Sequence, residues 1–184
     1  MPTQGKKKSS ATTDALDLLK ADHDKVRNLF REFEQLRGSD DEDERKSELV
    51  DEICYELTLH TMIEEEIFYP ALRAASDDAE MMDEADIEHA GARELISQLE
   101  VMYPGDDHFD ATVTVLGEEV IHHIEKEERD MFAAARSSGI DLAALGEQLT
   151  ARTEELDEDL SAPPPTMDAM APHNGTRRPP RAPN

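Results

Sequence analysis

Apolar residues recur along this chain at intervals of three, four and seven, the mark of helices buried on one side. Leu16, Leu19, Val26, Phe30 and Phe33 form the first such stripe and predict a helix over about 14–37, with Gly38 as its stop. The acidic run SDDED then offers N-caps for a second helix, about 44–75, whose stripe is Leu49, Ile53, Leu57, Ile67 and Ala71. Pro70 falls inside it and predicts a kink there. A third helix spans about 79–102 and stops at Pro104-Gly105; a fourth spans about 107–137 and stops at Gly139. From 140 to 160, Leu142, Leu145, Leu149, Leu156 and Leu160 give a further amphipathic pattern, suited to docking on the other helices or on a second subunit.

Four long helices joined by short polar turns favour antiparallel neighbours. The expected fold is therefore all-α, an up-down-up-down four-helix bundle over 13–138 with an additional C-terminal helix over 139–160. Residues 1–12 are polar and lysine-bearing, and 161–184 hold most of the ten prolines with no helical period. Both ends are expected to be disordered.

The polar exceptions to these stripes carry the chemistry. With about 100° per residue and His60 at zero, Ile53 falls near ~20°, Leu57 near ~60° and Glu64 near ~40°. His60 and Glu64 thus sit amid the buried stripe, while Glu65 and Glu66 rotate away. His123 and Glu127 repeat the arrangement on the fourth helix, in line with Leu116, Val120 and Met131. His23 lies seven residues from both Leu16 and Phe30, and His89 seven from both Met82 and Ile96. Each helix therefore turns one histidine inward, and two add a glutamate one turn on. Buried carboxylates are costly unless paired or bound to a cation, and Arg93 alone is too little to neutralise two. Bound metal satisfies all six residues at once. Imidazole with carboxylate, and no thiolate, suits iron, manganese or zinc.

Composition narrows the setting. The 184 residues carry a formal charge of −25, which repels nucleic acid and anionic membrane as partners. Cys54 is the only cysteine, so an internal disulfide and a cysteine-based zinc or iron–sulfur site are excluded. With no long apolar run and no signal-peptide pattern, a cytoplasmic monomer or homodimer is expected.

The stretches LKADHDKVRNLF, HTMIEEEIFYP, DIEHAGARELI and HHIEKEERDMF together resemble the hemerythrin-like (HHE cation-binding) domain family over about residues 14–136. That resemblance implies a non-haem di-iron centre with two iron ions, oxo- or hydroxo-bridged. His23, His60, His89 and His123 would be terminal ligands, with Glu64 and Glu127 bridging. It implies a small-molecule partner, namely dioxygen, nitric oxide or peroxide, that is bound, sensed or decomposed, or a redox-responsive regulatory role. Oxygen carriers of the family place a second histidine one turn after the third-helix histidine, where this chain has Arg93. About two of some twelve coordination positions are then left, for water, substrate, Asp86 or Glu119. A ferritin-like site fits less well, because Glu119-x-x-His122 is the lone Glu-x-x-His pair and His122 is off the stripe. The His-Glu-x-x-His string of zinc hydrolases is absent. Glu65, Glu66, Glu125 and Glu128 are expected to be solvated or to orient histidines. His108 and His122 are expected on the surface, Phe68 and Tyr69 in the core, and Tyr55 and Tyr103 are candidates to approach the metal level.

Overall fold

The computed structural model describes residues 13–39, 42–76 and 80–161. The two ends expected to be disordered lie outside the described residues, except Ser161, which closes the last helix. Helix α1 is Ala15–Leu36. Helix α2 covers 43–75 as Asp43–Ile63, a wider turn Glu64–Phe68, and Tyr69–Ala75. Helix α3 is Glu80–Leu99. Helix α4 covers 109–137 as Phe109–Lys126, a second wide turn Glu127–Met131, and Phe132–Ser137. Helix α5 is Leu142–Ser161. Among the described residues there is no strand.

Local signals account for most boundaries. The Asp14 carboxylate accepts from the backbone N–H groups of Leu16 and Asp17, each at 3.0 Å, and so caps the first turn of α1. Gly38 and Gly139 adopt φ of +76° and +82° just past α1 and α4, the left-handed conformation that ends a helix without a Cβ penalty.

The core falls into two apolar clusters. One gathers Leu16 and Leu19 of α1, Phe68 and Leu72 of α2, Met82 of α3 and Phe132 of α4. The other gathers Phe30 and Phe33, Leu49 and Ile53, Ile96, and Val113. Each helix thus starts in one cluster and ends in the other, with direction alternating from α1 to α4, as an up-down-up-down bundle requires. Between the clusters lies a polar layer.

Helix α5 docks on the bundle itself. Leu145, Leu149 and Leu156 are buried within the first cluster. Close approach depends on Gly146, where a Cβ would stand 2.9 Å from the backbone nitrogen of Ala15. At the rim, Arg152 Nε pairs with Glu66 Oε2 at 2.7 Å and Tyr55 donates to Asp157. Leu160 remains exposed.

The wide turns revise the stripes predicted beyond them. The N–H of Tyr69 donates to the Glu64 carbonyl, and that of Phe132 to the Glu127 carbonyl, each spanning five residues instead of four. One extra residue is thereby absorbed, and everything after it rotates back by about 100°. Ile67 and Ala71, expected on the buried stripe, are only half-buried, and Phe68, expected in the core, lies there with Leu72; in α4 Ala135 is buried and Ala134 is not. Pro70 is not the common cause. Its counterpart in α4 is Ala133, which has an N–H to donate, yet the same turn forms.

Leu149→Ala is expected to destabilise the protein by about 2–5 kcal/mol in denaturant unfolding, the range for a buried leucine truncated to a cavity. A loss below about 1 kcal/mol would mean that α5 is not part of the cooperative core.

Candidate metal centre

The polar layer between the two clusters brings together all six predicted residues. His23, His60, Glu64, His89, His123 and Glu127 are each buried, the two glutamates to 0% and 1% exposure. Their inward atoms form two groups: His23, His60, Glu64 and Glu127, and then Glu64, His89 and His123. Within each group the potential ligand atoms lie within 4.8 Å of one another. The histidines pair across neighbouring helices, with the Nε2 atoms of His23 and His60 at 3.1 Å and those of His89 and His123 also at 3.1 Å.

Glu64 faces both pairs. Its Oε1 is 3.2 Å from His60 Nε2, and its Oε2 is 3.4 Å from His89 Nε2. Glu127 Oε2 lies 3.1 Å from His23 Nε2 and 3.9 Å from His123 Nε2, so it too reaches from one pair to the other.

The outer edges of the imidazoles are held by carboxylates. Glu128 accepts from His23 Nδ1 at 3.0 Å, Glu65 from His89 Nδ1 at 2.9 Å, and Glu88 from His123 Nδ1 at 2.8 Å. Asp22 stands 3.8 Å from His60 Nδ1. A proton held on Nδ1 leaves the Nε2 lone pair aimed inward. Cations balance this outer ring: Arg27 and Lys20 on Glu128, Arg93 on Glu65, and Lys126 on Glu88. The glutamates that follow Glu64 and Glu127 therefore cross over, Glu65 to His89 and Glu128 to His23.

The donor set fits a cation. Glu64 Oε1, both Glu127 oxygens and His60 Nδ1 are buried without a hydrogen bond of acceptable geometry. Lys46, a buried cationic side chain, instead faces Asp110 at 3.8 Å. Without metal the two carboxylates compete for the same imidazoles. Burial pushes the Glu64 carboxyl up, but His60, His23 and His89 together hold it well below the usual range. Burial and the negative charge of Glu64 leave Glu127 raised. Burial lowers His60 and His23, yet the glutamates facing them outweigh it and raise both. His89 is lowered, chiefly by burial.

Tyr69 completes the layer, and the sequence pattern had placed it only as a core residue. Its hydroxyl donates to Glu64 Oε2 at 3.3 Å and stands 3.2 Å from His89 Nε2 and 3.4 Å from His123 Nε2. On a regular helix, nine residues from His60 is about 180° away; the wide turn brings Tyr69 back to about 80°. The matching position nine residues after His123 is Phe132, which stacks on His23 at 5.7 Å between ring centroids. An aromatic at the same offset in both repeats was the available signal.

Other candidates lie elsewhere. Asp86 pairs with Arg73 at 2.7 Å, away from the layer. Tyr103 is 71% exposed and Tyr55 is bound to Asp157. Arg93 lies outside, on Glu65. Glu119 and His122, both exposed, help line a cavity of about 310 Å³ whose walls also include His60, His89, His123, Leu57 and Val120.

An all-α bundle with a buried histidine–glutamate layer is a cation-binding architecture. The family model for the hemerythrin HHE cation-binding domain matches residues 14–135, and the chain belongs to that family. An uncharacterized protein of Mycobacterium tuberculosis is 31% identical over 153 residues, 78% of this chain and 87% of that one. A DNA nickase of Nostoc sp. is 29% identical over 136 residues, 74% of this chain. The chain covers only 37% of the nickase's length. The crystal structure of an HHE cation-binding domain-containing protein from Mycobacterium kansasii, a homologue of the M. tuberculosis protein, superposes with a TM-score of 0.67 at 27% identity. That match covers 80% of this chain and 93% of the other.

Two outcomes follow from this geometry. Glu65→Ala removes the carboxylate that orients His89 and is expected to weaken metal affinity by about 10–100-fold in chelator competition; an unchanged affinity would remove Glu65 from that role. The second concerns pH. His60 and His23 are raised from 6.5, so their contribution to metal-free stability is complete below that pH and is lost as pH rises through their folded values. The lowered groups, Glu64 and His89, already contribute fully above pH 6.5 and add no opposing trend there. The thermal midpoint of metal-free protein should therefore fall from pH 6.5 towards about 9, while that of metal-loaded protein, whose ligands bind deprotonated, should not.

Proposed function

We propose that this chain is a hemerythrin-like non-haem di-iron protein that binds or senses a small oxidant: dioxygen, nitric oxide or peroxide. The reading is carried by one observation, that Glu64 directs its two oxygens at two separate histidine pairs. His23 and His60 would hold one iron and His89 and His123 the other, with Glu64 and Glu127 shared. Two irons held there would supply a two-electron change in one place. Glu65, Glu88 and Glu128 fix the imidazoles, and the apolar flanks from Leu57, Ala92, Val120 and Ile124 exclude bulk water. The cavity reaching His60, His89 and His123 is ample for a two-atom or four-atom oxidant.

Decomposition of peroxide to water and dioxygen is a second reading, favoured by the outward course of Arg93. No fifth imidazole stands on that turn of α3, so more of the coordination sphere is left exchangeable than in an oxygen carrier. The nickase activity is not carried over, since a charge of −25 opposes a DNA backbone.

Iron-loaded protein is expected to change its absorption spectrum reversibly when oxygen or nitric oxide is added and removed. Sustained oxygen evolution from peroxide, lost in Glu64→Ala, would support the second reading instead. Neither response from protein carrying two irons would refute both.

A further inference from the structure

The cavity of about 310 Å³ has walls from α2, α3 and α4, and it touches both solvent and the histidine layer. Ile87, Gly91 and Glu119 on its walls are exposed, whereas His60, His89 and His123 are buried. Two details there are not required by the fold. The first is Gly91. It lies inside α3, where glycine is disfavoured relative to alanine, and its φ is not left-handed, so no turn demands it. A Cβ would meet only Glu119 Oε2, at 3.7 Å, so close helix packing does not demand it either. What a longer side chain would take is room in the cavity wall.

The second detail is Glu119. Its carboxylate has no hydrogen bond or ion pair among the described residues. The other carboxylate on the wall, Glu88, is balanced: it accepts from Lys126 Nζ at 3.1 Å and from His123 Nδ1 at 2.8 Å. No arginine or lysine among the described residues lines the cavity. One negative charge beside Gly91 is thus uncompensated.

We infer that the oxidant reaches the layer through this cavity, and that Gly91 and Glu119 select what passes, Gly91 by size and Glu119 by charge. The ligand class is a small uncharged molecule, such as dioxygen, nitric oxide or hydrogen peroxide. Small anions, such as azide, nitrite and superoxide, are held back. This inference rests on the di-iron reading and adds selectivity to it. A charge in a cleft with apolar walls, here Leu57, Val120 and Ile124, sets the local concentration of charged ligands and so their association rate. An uncharged ligand meets only the width of the path. The overall charge of −25 repels anions from every face, so replacing one carboxylate matters only if it stands on the path.

The test is stopped-flow ligand association with iron-loaded full-length protein, at about pH 8, above the ordinary imidazole range. Azide is added to the oxidised protein and nitric oxide to the reduced protein. Glu119→Gln should raise the ratio of azide rate to nitric oxide rate by about tenfold, and the gain should shrink as salt is raised. Glu119→Lys, at the same exposed position, should raise it further. Glu118→Gln, an exposed carboxylate on the next groove, should leave the ratio as it is. Gly91→Leu should slow both ligands severalfold. A ratio within about twofold of native in both Glu119 variants, or an equal gain in Glu118→Gln, would overturn Glu119 as the charge filter. Native rates for both ligands in Gly91→Leu would place the path elsewhere. Protein that carries two irons and binds neither ligand would instead overturn the oxidant-binding reading, and this inference with it.

Discussion

Two carboxylates in the middle of a helical bundle are the constraint to which the rest of this structure answers. Glu64 and Glu127 are as buried as any leucine around them, and no arginine or lysine among the described residues is paired with either. A buried carboxylate left uncompensated costs several kcal/mol. Protons shared with imidazoles offset part of that cost in metal-free protein, which is why His23 and His60 are raised and Glu127 is left the weaker acid of the pair. A cation offsets it for all six groups together. The apolar clusters on either side then do two things at once: they fold the bundle, and they lower the local dielectric around the layer, which strengthens its electrostatic interactions.

Around the layer, charge alternates in shells. Inward nitrogens and oxygens converge at the centre, Glu65, Glu88 and Glu128 hold the outer edges of the imidazoles, and Arg93, Lys126, Arg27 and Lys20 balance those carboxylates near the surface. At Arg93 the chain departs from the oxygen carriers, which have a histidine there. In the fold it is a support, two steps removed from the centre through Glu65 and His89. Within each His-x-x-x-Glu-Glu repeat the two glutamates differ in role. The first faces the centre, and the second crosses over to steady a histidine of another helix.

The four stripes, their directions and the six converging residues could be read from periodicity, because heptad spacing to leucines and phenylalanines fixes a face regardless of tertiary detail. Beyond Glu64 and Glu127 periodicity holds only in part: Phe68, Tyr69 and Met131 are buried as expected, while Ile67 and Ala71 are not. A regular rotation per residue was assumed through both, and each is where the helix takes in an extra residue. The differences share that one origin: Ile67 and Ala71 leave the stripe, Leu72 takes its place beside Phe68, and Tyr69 faces the layer and not only the core. Pro70 pointed to irregularity in α2 for a reason that α4 does not share. Such turns concentrate at functional sites, so periodicity fails here next to the residues that matter most. The leucines of α5 suit either the bundle or a second subunit by periodicity alone, and the close approach of Gly146 to Ala15 seats the helix on the bundle.

The central proposal is that this layer is a two-cation centre. Elemental analysis of protein purified without chelator measures that directly, as moles of metal per mole of chain. Close to two metal ions per chain is the predicted result, falling sharply when Glu64 is replaced by alanine. Fewer than one metal ion per chain, in protein that is folded and stable, would contradict it.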